Sequence, residues 1–135
     1  MIEFFLPMKP PTATHQEKAV KIVKGVAVFY EPQSLVNARL KLRDYLGPKS
    51  PSEPILGALR LITKWCFPIT GKHHDGEYKT SKPDTDNLQK LLKDVMTDLG
   101  FWCDDAQVVS EIVEKFWAEI PGIYIAIERI KKIKV

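Results

Sequence analysis

Residues 82–100 read KPDTDNLQKLLKDVMTDLG and carry the clearest secondary-structure signal in the chain. Apolar side chains recur there at the 3.6-residue period of one helix face: Leu88, Leu91, Leu92, Val95, Met96 and Leu99. Asp84 and Asp86 stand where acids favour a helix N-terminus, and Gly100 is a natural C-terminal stop. The stretch therefore predicts an amphipathic helix that packs against a sheet.

Strand patterns lie on both sides of this helix. Residues 55–69 contain a long alternating strand, and Pro68 marks its far end. Residues 108–117 carry apolar side chains at both odd and even positions, and so on both faces of a strand, which predicts a central strand. Pro121-Gly122 makes a tight turn, so a last strand at 123–130 is expected to pair back as a hairpin.

The N-terminal third predicts a strand, a basic arm and a second helix. Residues 3–6 form the first strand. Residues 12–24 are polar and basic and predict a long loop or an irregular hairpin arm, followed by a short β-prone run at 26–30. A helix opens at Glu31-Pro32 and stops at Gly47-Pro48.

The predicted order is β, basic arm with a short β run, α, β, α, β, β. A chain of 135 residues suits one domain. We therefore expect residues 1–135 to form a single α+β domain in which two helices pack on one mixed β-sheet.

The chain also carries signals about its location. It has no run of about 18 apolar residues, so no membrane span is expected. Glu3 stands where a signal peptide needs positive charge. Cys66 and Cys103 are isolated from each other, which favours reduced thiols over a disulfide or a zinc site. These features predict a cytoplasmic protein.

Charge is distributed unevenly along the chain. Residues 84–119 hold nine acids against three lysines, whereas the remainder holds 17 basic residues against eight acids. The pattern fits either solvated faces or a basic body around an acidic pocket. The second arrangement suits an enzyme that binds a polyanion and holds cations at one point.

Four carboxylates are the candidates for that point. Asp84 and Asp86 are two residues apart, so in extended geometry both can face one site. Lys90 follows Asp86 by four residues, one helical turn on. Asp104-Asp105 lies beyond the helix, whose roughly 14 residues cover about 20 Å. The two acidic segments can therefore meet only through the sheet or across a subunit boundary.

Converging carboxylates need cations between them. Hard oxygen ligands suit Mg²⁺ or Mn²⁺, which can activate water in phosphodiester hydrolysis, while Lys90 could orient the phosphate. On spacing alone a structural interpretation weighs equally: Asp86 as a helix cap, Lys90 as its ion-pair partner, and Asp104-Asp105 as turn residues. A toprim-type nuclease would need an upstream glutamate at a strand end, and Glu53 lies among prolines.

Two segments together resemble a known family. Residues 82–90 (KPDTDNLQK) and 100–109 (GFWCDDAQVV) stand in the order and at the separation of the RusA family of Holliday-junction resolvases. That resemblance implies a homodimer that cuts four-way branched DNA with a divalent metal, and it suggests a phage or prophage protein of the bacterial cytoplasm. A junction-binding protein without turnover is the alternative.

The resemblance also implies roles for individual residues. Asp84, Asp86 and Asp105 match the essential acids and would bind the metal, and Lys90 matches the catalytic lysine. Asp104 matches the adjacent acid, a further metal-ligand candidate. Pro83 stands where some relatives carry arginine, for which Lys82 could substitute.

Basic residues of two loops are candidates for phosphate contacts. They are Lys72, Lys79 and Lys82 in the loop before the helix, and Lys18 and Lys21 in the arm. His73-His74 is interpreted as part of a solvated loop, and Phe101 and Trp102 as core.

Overall fold

The computed structural model describes residues 1–13 and 19–134. The fold is α+β, as predicted. Its elements in chain order are β1 (Ile2–Leu6), β2 (Ala19–Val23), β3 (Val26–Tyr30), α1 (Gln33–Leu46), β4 (Leu59–Pro68), α2 (Thr85–Asp98), β5 (Val108–Ala118) and β6 (Gly122–Arg129). Two short 3₁₀ helices, Gly47–Lys49 and Asp105–Gln107, follow α1 and precede β5.

The main sheet is mixed, with strand order β1-β6-β4-β5. β4 and β5 are parallel, and the other pairs are antiparallel. Parallel neighbours need a crossover, and α2 supplies it, so β4, α2 and β5 form a βαβ unit. Because α2 returns against the strand direction, its N-terminus lies by the ends of β4 and β5 and its C-terminus by their starts.

Two sequence predictions about the last strands are wrong. β6 does not form a hairpin with β5 but inserts between β1 and β4, and β5 lies at the edge instead of the centre. Burial explains the arrangement, since Ile125 and Ala126, on opposite faces of β6, are both fully buried. In β5, by contrast, Val109 and Ile112 are apolar but exposed.

The basic arm contains a regular hairpin. β2 and β3 pair antiparallel in a sheet of their own. Lys24 and Gly25 between them both have positive φ (50° and 77°), as a two-residue hairpin turn requires. Apolar side chains of this ribbon, such as Ile22 and Phe29, are exposed.

The core lies between the helices and one face of the sheet. The predicted α2 stripe is buried from Leu88 to Met96, and Leu99 at its end is half-buried; Phe101 and Trp102 are buried as well. Gly100 has a φ of 81°, which supports its predicted role as the helix stop. A buried polar chain crosses this layer: Trp65 Nε1 donates to Thr63 Oγ1 (3.0 Å), which donates to Gln89 Oε1 on α2 (2.9 Å). Neither described helix has the length and apolar character that a membrane span requires.

Candidate active site

The first acidic segment forms the N-terminus of α2. Asp84 is the N-cap residue, and its carbonyl accepts from the amide of Leu88 (3.1 Å). An N-cap aspartate ordinarily accepts a first-turn amide with its carboxylate, but the Asp84 side chain makes no capping hydrogen bond. Asp86 follows in the first turn, and both residues are exposed. Two carboxylates are thus available to solvent at the positive end of the helix dipole.

Lys90 turns away from this pair and toward the second acidic segment. Its Nζ donates to Asp94 Oδ1 (3.1 Å) and lies 3.9 Å from Asp105 Oδ2. The sequence spacing also allowed an ion pair with Asp86. Asp94 and Asp105, on the other side of Lys90, together attract the ammonium more strongly than the single carboxylate of Asp86. The hydrogen bond and charge of Asp94, with a smaller contribution from Asp105, raise the pKa of Lys90. The side chain is therefore a cation at neutral pH.

Asp104 and Asp105 have different environments. Asp104 caps the 3₁₀ helix, and its Oδ1 accepts from the amide of Ala106 (2.9 Å). Gln107 completes the cap, because its Oε1 accepts from the amides of Cys103 and Asp104 (2.9 and 3.1 Å). The half-buried Asp105 carboxylate instead faces Lys90. Asp104 thus has a structural role that Asp105 lacks.

A cleft of about 510 Å³ lies beside the C-terminal half of α2. It is lined by Arg39, Asp94, Thr97, Asp98, Cys103, Asp104 and Asp105. Arg39 reaches it from α1 and pairs with Glu31 at 2.7 Å. The cleft therefore combines several carboxylates with the guanidinium of Arg39. The ammonium of Lys90 lies next to it and contacts Asp94 and Asp105.

The first acidic segment begins α2, and the second lies beside the helix, where Asp105 contacts Lys90 one helical turn beyond Asp86. Asp94, in the cleft with Asp105, is eight residues beyond Asp86, which corresponds to about 12 Å of helix. Among residues 1–13 and 19–134, no three His, Cys, Asp or Glu side chains form a group that could hold a metal ion. The structure therefore joins Lys90 with Asp105 but leaves Asp84 and Asp86 apart from them.

The predicted phosphate contacts have varied settings. Lys72 and Lys82 are exposed, and the ammonium of Lys21 lies 5.3 Å from the Tyr30 ring centre. Lys79 is half-buried and donates to Ser81 Oγ and to the Lys82 carbonyl. Lys18 lies outside the described residues.

His73 and His74 lie in an exposed loop, as interpreted from the sequence. The His73 ring also stacks on that of Trp117, with ring centroids 4.3 Å apart, and its Nδ1 lies 3.0 Å from the Glu77 carboxylate. Both cysteines are free thiols.

Sequence reasoning missed three contributors. Asp94 is the i+4 partner of Lys90, a relationship that spacing alone could have suggested. Arg39 and Lys115 come from α1 and β5, and no local pattern marks them. Lys115 donates to the carbonyls of Ser81 and Pro83, just before Asp84.

Comparison with known proteins identifies relatives of the chain. The family model described as endodeoxyribonuclease RusA matches residues 8–128. A protein of Lactococcus phage r1t named crossover junction endodeoxyribonuclease rusA is 36% identical over 108 residues, which span 79% of this chain and 82% of the phage protein.

Shorter matches add two further relatives. The crossover junction endodeoxyribonuclease RusA of Escherichia coli K12 is 59% identical over 32 residues, covering 24% of this chain and 27% of that protein. The uncharacterized protein YqaN of Bacillus subtilis is 41% identical over 51 residues, covering 38% of this chain and 35% of that protein.

Proposed function

Since this chain belongs to the RusA family of endodeoxyribonucleases, we propose that it resolves Holliday junctions by hydrolysing phosphodiester bonds in four-way branched DNA. It would act with Mg²⁺ or Mn²⁺ during recombination and repair of DNA in a bacterial cytoplasm, as a phage or prophage product. The named phage relative, matched over most of both chains, supports the junction as substrate.

The observation that carries this proposal is the contact of Lys90 with Asp105. These residues come from the two motif segments, and their side-chain atoms approach to 3.9 Å. The side chain of Lys90 ends in an ammonium group. It is suited to holding a phosphate oxygen while negative charge develops on it.

The donor set fits a hard divalent ion. Asp84 and Asp86 are exposed, and the Asp84 carboxylate is not used as a cap. Asp105 is half-buried, and carboxylate oxygens are the ligands that Mg²⁺ and Mn²⁺ prefer. A metal bound by these three would supply an activated water and stabilise the leaving oxygen. Asp104, which is engaged as a cap, would support the 3₁₀ helix instead.

The junction substrate favours a homodimer. A four-way junction needs two incisions, and a two-fold dimer supplies two sites with matching spacing. Because Asp105 contacts Lys90, one helical turn beyond Asp86, the three acids of a single chain can serve one site.

A cleavage assay on a labelled four-way junction tests the proposal. With Mg²⁺ the wild-type protein should nick opposing strands, and EDTA should stop the reaction. Asp105→Asn should lower cleavage about 100-fold or more, because a lost ligand removes several kcal/mol of transition-state stabilisation. Junction binding in EDTA should persist.

Asp44→Asn, which removes an exposed carboxylate of α1, is the matched control. Cleavage by Asp105→Asn at the wild-type rate would refute the site. Tight junction binding without any cleavage by the wild type would favour a non-catalytic binding protein.

A further inference from the structure

The segment that leads into Asp84 is held by a lysine from a distant strand. Lys115 Nζ donates to the carbonyl of Ser81 (2.7 Å) and to that of Pro83 (2.8 Å). Residues 81–83 have neither helix nor strand structure, so their carbonyls have no ladder partners. The two charge-assisted bonds therefore fix the backbone next to the first acid of the motif.

A second lysine holds the carbonyl between these two. Lys79 Nζ donates to the carbonyl of Lys82 (2.5 Å) and to Ser81 Oγ (2.6 Å). Its ammonium also lies 4.6 Å from the centre of the Trp117 ring and 5.2 Å from that of Phe67. Burial, and secondarily the charge of Lys115, lower the pKa of Lys79, in accord with two ammoniums close together. Three successive carbonyls are thus oriented by two cations.

Lys115 has a rigid base for this role. It lies in β5 at the register position of the fully buried Trp65 in β4. Its side chain spans from the sheet edge to the loop before α2. A displacement of that loop would move Asp84, the N-cap residue of α2, and Asp86 in the first turn of the helix.

We propose that Lys115 is a positioning residue of the nuclease site, which holds the 81–83 carbonyls so that Asp84 and Asp86 present their carboxylates in a fixed geometry. The effect of Lys115 on catalysis rests on the proposed function. The tether itself, which is the pair of hydrogen bonds from Lys115 to the carbonyls of Ser81 and Pro83, does not. A lysine that met DNA directly would behave differently, since its loss would weaken junction binding and lower the salt dependence of that binding by about one charge.

Three variants separate these roles. Lys115→Met removes the ammonium and keeps the length of the stem, and Lys115→Arg restores two donors. Lys64→Met is the matched control, because Lys64 also lies in the sheet but places its ammonium 5.6 Å from the Tyr124 ring centre. Each protein is assayed for Mg²⁺-dependent cleavage of a four-way junction, for junction binding in EDTA, and for amide hydrogen exchange without metal or DNA.

Lys115→Met should exchange faster at the amides of residues 88–90, the first ones hydrogen-bonded within α2, and should need more Mg²⁺ for half-maximal cleavage. Its cleavage should fall about 10- to 100-fold, since a displacement of about 1 Å at a reacting centre has effects of that size. Junction affinity in EDTA should stay within about twofold, a change too small for a lost phosphate contact. Lys115→Arg should recover most of the cleavage, and Lys64→Met should match the wild type in all three measurements.

Two results would overturn the proposal. One is unchanged exchange at the amides of residues 88–90 in Lys115→Met, which would exclude the tether even if the wild type failed to cut any junction. The other is a loss of junction affinity in EDTA that accounts for the whole fall in cleavage, which would assign Lys115 to DNA binding. Absence of cleavage by the wild type would refute the proposed function alone, and the exchange measurement would still decide on the tether.

Discussion

The buried chain Trp65–Thr63–Gln89 allows a stability test in which two similar substitutions should differ sharply. Thr63 Oγ1 accepts from Trp65 Nε1 and donates to Gln89 Oε1, and all three side chains are buried. Gln89 Nε2, by contrast, is buried and has no partner within the described residues. The hydroxyl of Thr63 is therefore the central member of the network, and the amide of Gln89 is an incompletely satisfied end.

Thr63→Val keeps the shape and the strand preference of the side chain but removes its hydroxyl. The substitution leaves Trp65 Nε1 without an acceptor and Gln89 Oε1 without a donor. Each buried group that loses its partner costs about 1–3 kcal/mol, so the loss of both partners should lower the free energy of unfolding by about 2–6 kcal/mol. Gln89→Met should cost no more than about 1 kcal/mol, because it also removes the unpartnered amide while Thr63 still accepts from Trp65.

Urea unfolding followed by tryptophan fluorescence and far-UV circular dichroism measures both changes, provided that the two probes give coincident transitions. The double variant should be less than additive, since Gln89 Oε1 is no longer present to lose its donor. Equal destabilisation by Gln89→Met and Thr63→Val would refute the reasoning. It would show that the Gln89 amide is satisfied, for instance by a buried water.

Three further outcomes are expected. Mixing Asp84→Asn with Asp105→Asn protein should not restore the cleavage that each lacks in a junction assay, since each site is expected to take its acids from one chain; restored cleavage would show that sites are shared between protomers. Asp104→Ala should lower the urea-unfolding free energy by about 1 kcal/mol through loss of its cap, whereas Asp105→Ala should leave it nearly unchanged. Gly122→Ala should destabilise by about 1–3 kcal/mol or more in the same assay, because an added Cβ would lie 2.1 Å from a Phe5 ring carbon.

The parts of the fold that the sequence predicted are those with local causes. The α2 stripe and the alternation of β4 both depend on neighbours within a few residues, so their periodicities indicated the buried faces correctly. Which strands become neighbours in the sheet depends instead on the path of the connecting helix. Residues 108–117 have the apolar pattern of a central strand, yet α2 carries β5 to the edge and leaves Val109 and Ile112 exposed in one chain.

The same distinction applies to the candidate site. Spacing predicted that Asp84 begins a helix, and the structure agrees. It also allowed the i,i+4 pair of Lys90 with Asp94, but it could not predict that Lys90 would meet Asp105, because Asp105 reaches Lys90 through tertiary packing. Lys115 carried no signal at all, since its partners are backbone carbonyls more than 30 residues earlier.

The topology of the βαβ unit limits how the proposed metal site can be completed. Oxygens bound to one Mg²⁺ lie about 2.1 Å from it, so they must come within about 4 Å of each other. Asp105 contacts Lys90 at 3.9 Å, and Lys90 is one helical turn, about 6 Å, beyond Asp86. A metal ion would therefore compete with the ammonium of Lys90 for the Asp105 carboxylate and draw it toward the N-terminus of α2, where Asp84 and Asp86 are exposed. Because all three acids lie on one βαβ unit, each protomer would hold a complete set of ligands, and a two-fold dimer would serve to pair two sites on the junction.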